Sequence, residues 1–301
     1  MPGVALPGSR LQDIELELLE RNRYAQRLGV VVEECAEGSA LVLLPVRPDI
    51  LNRGGLVHGG AIASGLLSAA MLSAASSERA RDARRTLPLS FSVCFLEAVR
   101  EREVSFSARV MRRGRSVVHT SIEATCGVDR VAAALAVHGI KHGETDAVGG
   151  FSAAPAHTLS DLDLPAVRMS GSPYGAAAGI EVLSEIGSEA RLRMPSEPNA
   201  GPDGCADPGA VLGLIDNCGA FATYSHPGVS IEQSGATVSM NVAFCPPVVG
   251  ALRAVGRVVG RSGDAFSSEV EVAGVENGLV AATASLLYRM RSSVSGGGER
   301  G

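Results

Sequence analysis

Small and apolar residues fill nearly every position from 60 to 76 (GAIASGLLSAAMLSAAS) and again from 209 to 224 (GAVLGLIDNCGAFATY). A helix with so little polar surface has no face to give to water, so each stretch is predicted to form a buried helix. Strand-like runs follow, at 89–96, 104–112 and 117–125 after the first helix and at 238–245, 251–259 and 265–273 after the second. A last run closes each set, at 131–140 and 279–290, and a short extended segment precedes each helix, at 40–46 and 189–194. Strands that mostly follow one another around a single helix predict an α+β fold, an antiparallel sheet wrapped over that helix.

The two sets are copies. At an offset of 149, Gly60 and Ala61 meet Gly209 and Ala210, Ser90 meets Ser239, Phe95 meets Phe244, and Val131 to Ala133 meet Val280 to Ala282. Near the start, Tyr24 and Gly29 match Tyr174 and Gly179 at 150. The expected organisation is therefore a first unit at 1–140, a Gly-, Ala-, Pro- and Ser-rich linker at 141–173, a second unit at 174–290 and a disordered tail at 291–301.

Composition narrows the function classes. A net charge of −5 argues against a general nucleic-acid binder. Apolar runs are broken before the ~18 to 20 residues of a bilayer span, so neither a crossing helix nor a membrane partner is expected. The first 22 residues lack the basic start and apolar stretch of a secretory signal, and the expected location is cytoplasmic. The six cysteines have no metal-type spacing and mostly sit in apolar runs, so they read as reduced core residues. The absence of a ligand cluster implies neither a metal nor a separate cofactor.

The chemistry concentrates where each helix begins. Asn52 is followed by Val57-His58-Gly59-Gly60-Ala61, which opens directly into the first helix. Unobstructed N–H groups at a helix start suit a negatively charged oxygen, although His58 and the glycines could equally serve capping and packing. The second copy has Asp207-Pro208-Gly209-Ala210 in that place and then Asp216 within the apolar helix, where a carboxylate is costly unless satisfied.

This pattern resembles the hotdog-fold acyl-CoA thioesterases, in particular the phenylacetate-pathway-like (PaaI-type) branch of the 4-hydroxybenzoyl-CoA thioesterase superfamily. That branch shows an Asn, a His-Gly-Gly six residues later and an Asp nine residues beyond the His. Counting nine from His58 reaches Leu67, and counting nine from Asp207 reaches Asp216, so each copy keeps part of the motif. The family's Ser or Thr on the next strand falls at Thr237 in the second copy and at Pro88 in the first. Nine helical residues rise roughly 13 Å, so a carboxylate there serves the other copy's loop rather than its own. The resemblance thus implies one composite site of Asn52, His58, Gly59, Asp216 and Thr237, and an eroded reciprocal set of Gly201, Asp207, Pro208, Leu67 and Pro88.

In that reading the Gly59 N–H holds the thioester carbonyl oxygen and Asp216 acts as general base or nucleophile. Asn52 positions the thioester, His58 orients the loop, and Thr237 bonds the carboxylate or its water. The substrate is an acyl-CoA, whose phosphates could meet Arg112, Arg113 and Arg115, or Arg79, Arg81, Arg84 and Arg85. The type II class of double-hotdog acyl-CoA thioesterases is also similar, but Ser285 stands roughly where that class has a Gln. A hotdog hydratase or dehydratase and an inactive acyl-CoA-binding protein are the alternatives, and dimerisation of the fused pair is left open.

Overall fold

The computed structural model describes residues 21–77, 86–100, 102–140 and 171–291. Each half has the same order of elements. The first half runs α1 (Arg23–Leu28), β1 (Val31–Ala36), β2 (Ser39–Leu44), α2 (Gly59–Ser76), β3 (Thr86–Phe95), β4 (Val104–Arg113), β5 (Val117–Cys126) and β6 (Asp129–Ile140). The second runs α3 (Pro173–Ala177), β7 (Glu181–Ile186), β8 (Glu189–Met194), α4 (Pro208–Tyr224), β9 (Gly235–Phe244), β10 (Leu252–Ser262), β11 (Ala265–Gly274) and β12 (Val280–Met290). Most of the expected linker and tail lie outside the described residues, and Pro173, placed at the linker's end, already begins α3.

The twelve strands of the described residues form one antiparallel sheet in the order β1-β2-β4-β5-β6-β3-β9-β12-β11-β10-β8-β7. The halves join through β3 and β9, where Ser92 pairs with Asn241. These two positions are equivalents at offset 149, so the pseudo-two-fold axis of the repeat passes through this pair. The same symmetry repeats the irregularities: a bulge interrupts β3 between Pro88 and Ser90, and another interrupts the β9–β12 pairing opposite Val238, the equivalent of Leu89.

A single register does not cover both halves. Ala132 pairs with Phe95 and Ala124, while Ala282 pairs with Phe244 and Val272. The offset is therefore 149 on β3/β9, 148 on β5/β11 and 150 on β6/β12. The cause is loop length: the β3–β4 connection has eight residues (96–103) and the β9–β10 connection seven (245–251), while seven residues separate the paired Ala124 and Ala132 and nine the paired Val272 and Ala282. The match of 131–133 to 280–282 is thus one residue out.

Both long helices are buried along almost their whole length, as their sequence demands, and the main core lies between them and the concave face of the sheet. α2 is, among the described residues, the one helix long and apolar enough to cross a membrane, contrary to the expectation that none would be; 78% of that stretch is buried inside the protein. The helices cross in backbone contact. A Cβ on Gly60 would lie 2.7 Å from the Gly213 Cα, and the Ser64 hydroxyl donates to the Gly209 carbonyl at 2.9 Å. That close crossing brings the start of one helix beside the middle of the other, about 4 to 5 Å from residue 213 along α4 to residue 216.

Of the cysteines, only Cys218 is a core residue; Cys94 is exposed and the other four are half-buried, so the expectation for most of them is corrected.

Candidate active site

The loop before α2 is shaped by its own backbone and by Asn52. The Asn52 Oδ1 accepts from the N–H groups of Gly54 (2.8 Å) and Leu56 (3.1 Å), and Gly55 turns the chain at φ 71°. The His58 N–H donates to the Ile50 carbonyl, which delivers His58 to the N-cap of α2. Of the next N–H groups, Ala61 and Ile62 donate to the His58 carbonyl. Gly59 N–H has no acceptor among the described residues.

Asp216 comes from the other half and is 4% exposed. Its Oδ2 accepts from the Gly60 N–H at 2.8 Å and lies 3.1 Å from the His58 Nδ1; its Oδ1 accepts from the Thr237 hydroxyl at 2.5 Å. Gly59 must be glycine here, because a Cβ on it would stand 2.8 Å from the Asp216 Oδ2. The His58 Nδ1 is also 3.0 Å from the Gly60 nitrogen. One ring nitrogen cannot hold both roles: protonated it donates to Asp216, and bare it accepts from Gly60.

Burial pushes the Asp216 carboxyl up, but His58, Thr237 and the Gly60 N–H together outweigh it and hold the group below the ordinary carboxylate value. This is an ionised carboxylate, fixed at both oxygens, beside an unclaimed N–H at a helix start. Such an arrangement can stabilise an oxyanion at Gly59 and supply an electron pair from Asp216.

The related position in the second half is built differently. Asp207 caps α4 through its Oδ1, which accepts from Gly209 (2.7 Å) and Ala210 (3.4 Å), and its Oδ2 accepts from the Asn22 amide at 2.5 Å. Burial dominates there and raises the Asp207 carboxyl. Pro208 at the first turn has no N–H, Leu67 is buried without charge, and Pro88 has no hydroxyl.

His58, Gly59, Asp216 and Thr237 are thus brought together from both halves. Asn52 shapes the loop, and its Oδ1 is committed to that loop. The arginines are not brought in. Arg113 donates to the Ser77 hydroxyl at the far end of α2, roughly 26 Å of helix from Gly59, where it helps line a surface basin of about 740 Å³ with Glu37, Ser39 and Arg109. Arg112 and Arg115 flank it on the same hairpin. The run at 79–85 lies outside the described residues, and Ser285 is exposed on the sheet's outer side.

Two contributors were missed. Gly60, to which no role was given, supplies the N–H that meets the carboxylate. Tyr174, noticed only as a repeat marker, stacks on His58 with ring centroids 4.4 Å apart and planes 18° apart.

Residues 47–139 match the family described as acyl-CoA thioesterase N-terminal domain. Among curated proteins none matches. A hot dog fold protein from Alicyclobacillus acidocaldarius is similar at 19% identity and TM-score 0.67, over 90% of this chain and 98% of that one. The tesB protein of Mycobacterium avium subs paratuberculosis is similar at 14% identity and TM-score 0.62, over 94% of this chain and 100% of that one. An acyl-CoA thioesterase II, TesB2, from Mycobacterium marinum is similar at 14% identity and TM-score 0.62, over 91% and 98%. At these identities the likeness is one of fold, and it spans both halves. The chain is therefore a fused pair of hotdog domains, the first of which carries the stretch that matches the acyl-CoA thioesterase N-terminal domain.

Proposed function

We propose that the chain hydrolyses acyl-CoA thioesters to free acid and CoA thiol at one composite site between its halves. The observation that carries this reading is the buried Asp216 carboxylate, held by the second half against the first half's helix start, beside the unclaimed Gly59 N–H.

In this reading the thioester oxygen sits on the Gly59 N–H, where the start of α2 favours the charge that builds as the carbonyl carbon is attacked. The attacking electron pair comes from Asp216, directly or through a water it deprotonates. The C–S bond then breaks and the thiolate takes up a proton; the acid leaves at once when water is the nucleophile, and after water has hydrolysed the mixed anhydride when Asp216 itself attacks. His58 and Thr237 hold the carboxylate to one orientation and keep it ionised. Asn52 fixes the shape of the loop through its Oδ1 and so positions the thioester against it. The residues call for no metal and no cofactor beyond the CoA of the substrate.

The test is thiol release from a panel of acyl-CoAs by the wild type and by Asp216→Asn. The expected result is turnover by the wild type and a loss of about 10² to 10⁴ in the variant. Loss of the substrate with the thioester intact would point to hydration of a carbon–carbon bond instead. Binding of acyl-CoA with no turnover by the wild type would make this a binding protein.

A further inference from the structure

The chain has four tyrosines, and two of them, Tyr24 and Tyr174, occupy the same place in the two halves. Each stands at the second position of its short helix, and each is almost fully buried. Their hydroxyls meet at 2.7 Å across the pseudo-two-fold axis. The Tyr24 hydroxyl continues to Ser64 Oγ at 2.6 Å, and Ser64 bonds the carbonyls of Gly60 (2.6 Å) and Gly209 (2.9 Å).

Tyr174 is held on every side. Its N–H donates to the Leu51 carbonyl in the loop of the other half at 3.1 Å. Its hydroxyl occupies space that only a glycine leaves open, since a Cβ on Gly213 would stand 1.9 Å from it. The Arg27 guanidinium covers both tyrosine rings, 4.8 Å from the centroid of Tyr24 and 5.5 Å from that of Tyr174. The remaining face of Tyr174 lies against the imidazole of His58.

The symmetry makes this contact informative. Tyr24 has no imidazole to stack on, because Asp207 replaces His58 in the second half. The ring-on-ring contact thus exists at one of the two related places, the one that also has the carboxylate.

We propose that Tyr174 is a positioning residue for this site: its ring fixes the plane of the His58 imidazole so that Nδ1 meets Asp216. An imidazole free to rotate about its side-chain bonds would leave the 3.1 Å contact part of the time and release the Asp216 Oδ2. Held flat against Tyr174, it keeps Nδ1 at the Asp216 carboxylate. Tyr174 touches neither the carboxylate nor the reacting atoms, so it acts through His58. The kinetic part of this inference rests on the thioesterase reading; the placement of His58 does not.

The experiment is ¹⁵N NMR of the His58 ring nitrogens, with thiol-release kinetics, in wild type, Tyr174→Phe and Tyr174→Met. Phe keeps the ring and removes the hydroxyl; Met fills the volume without a flat face. The expected result is a wild-type Nδ1 resonance and kcat for Phe, with a displaced resonance for Met. For Met, kcat should also fall roughly 10- to 100-fold while KM stays within about twofold. A wild-type Nδ1 resonance in Tyr174→Met, or a displaced one in Tyr174→Phe, overturns the proposal. So does a rise in KM at unchanged kcat, which would make the ring a substrate contact. If Met does not fold, Tyr174→Leu takes its place under the same criteria. A wild type with no thioesterase activity would sink the functional reading and leave the resonance to decide this one.

Discussion

Replacing Thr237 by Val removes one hydroxyl and little else, because the two side chains have nearly the same shape. The hydroxyl donates to the Asp216 Oδ1 at 2.5 Å, and the other oxygen is already taken by Gly60 and His58. A hydrogen bond to a charged group contributes about 1.5 to 3 kcal/mol. Thr237 is half-buried, so water can partly replace it and the lower end, about 1.5 kcal/mol, applies. That corresponds to roughly one pH unit in the protonation of the carboxylate. Because Asp216 sits below its ordinary value in the folded protein, its ionised form adds stability that is present above that value. This stability is lost as pH falls through the folded-state value. Thr237→Val should therefore move the acid limb of kcat/KM up by about one pH unit and lower the melting temperature at neutral pH. The stability gap should narrow as the medium becomes acidic enough to protonate Asp216 in both proteins. Thr237→Ser, which keeps the hydroxyl, should restore the wild-type limb. An acid limb at the same pH in Thr237→Val and wild type, or a Ser variant displaced as far as Val, would refute the reasoning.

The eroded side of the axis should respond in stability and not in rate. Asp207→Ala removes the cap of α4 and orphans the Asn22 amide, so chemical denaturation should show a loss of about 2 to 3 kcal/mol with kcat/KM within about twofold of wild type. Leu67→Asp would put an unpaired carboxylate into a site 1% exposed, where the Gly209 N–H equivalent to that of Gly60 is already bonded to Asp207 and Pro208 offers no N–H for an oxyanion. It should cost about 3 kcal/mol or more and add no second turnover, whereas a gain in thiol release would mean that the second loop still works.

The two long helices and ten of the strands were legible because each has one dominant character, whereas the short helices α1 and α3 were not foreseen. Nor were the outermost strands. β1 reads VVEECA and β7 reads EVLSEI, and each pairs with one neighbour at the sheet edge, so burial imposes no clean alternation on them. The drift of register between halves was invisible because small residues recur so often that a one-residue slip, as at Val131 and Val280, still matches Ala with Ala. Within the site, Asp216 stood out because a carboxylate inside an apolar helix demands partners, and Thr237 came only from the family resemblance. The role of Gly60 depends on how the crossing of α2 and α4 turns its N–H toward Asp216, and that is tertiary. Tyr174 left only a faint signal, the match of Tyr24 to Tyr174. Nothing local says that one of the pair meets a histidine 116 residues earlier in the chain.

The division of labour between halves is tested most directly by a double-mutant cycle across them: kcat/KM for wild type, His58→Gln, Asp216→Asn and the two together. Side chains 3.1 Å apart in one buried unit are expected to couple, so the double variant should be hardly slower than Asp216→Asn alone. Losses that simply multiply, or an Asp216→Asn variant that turns over near the wild-type rate, would contradict a site shared between the two copies.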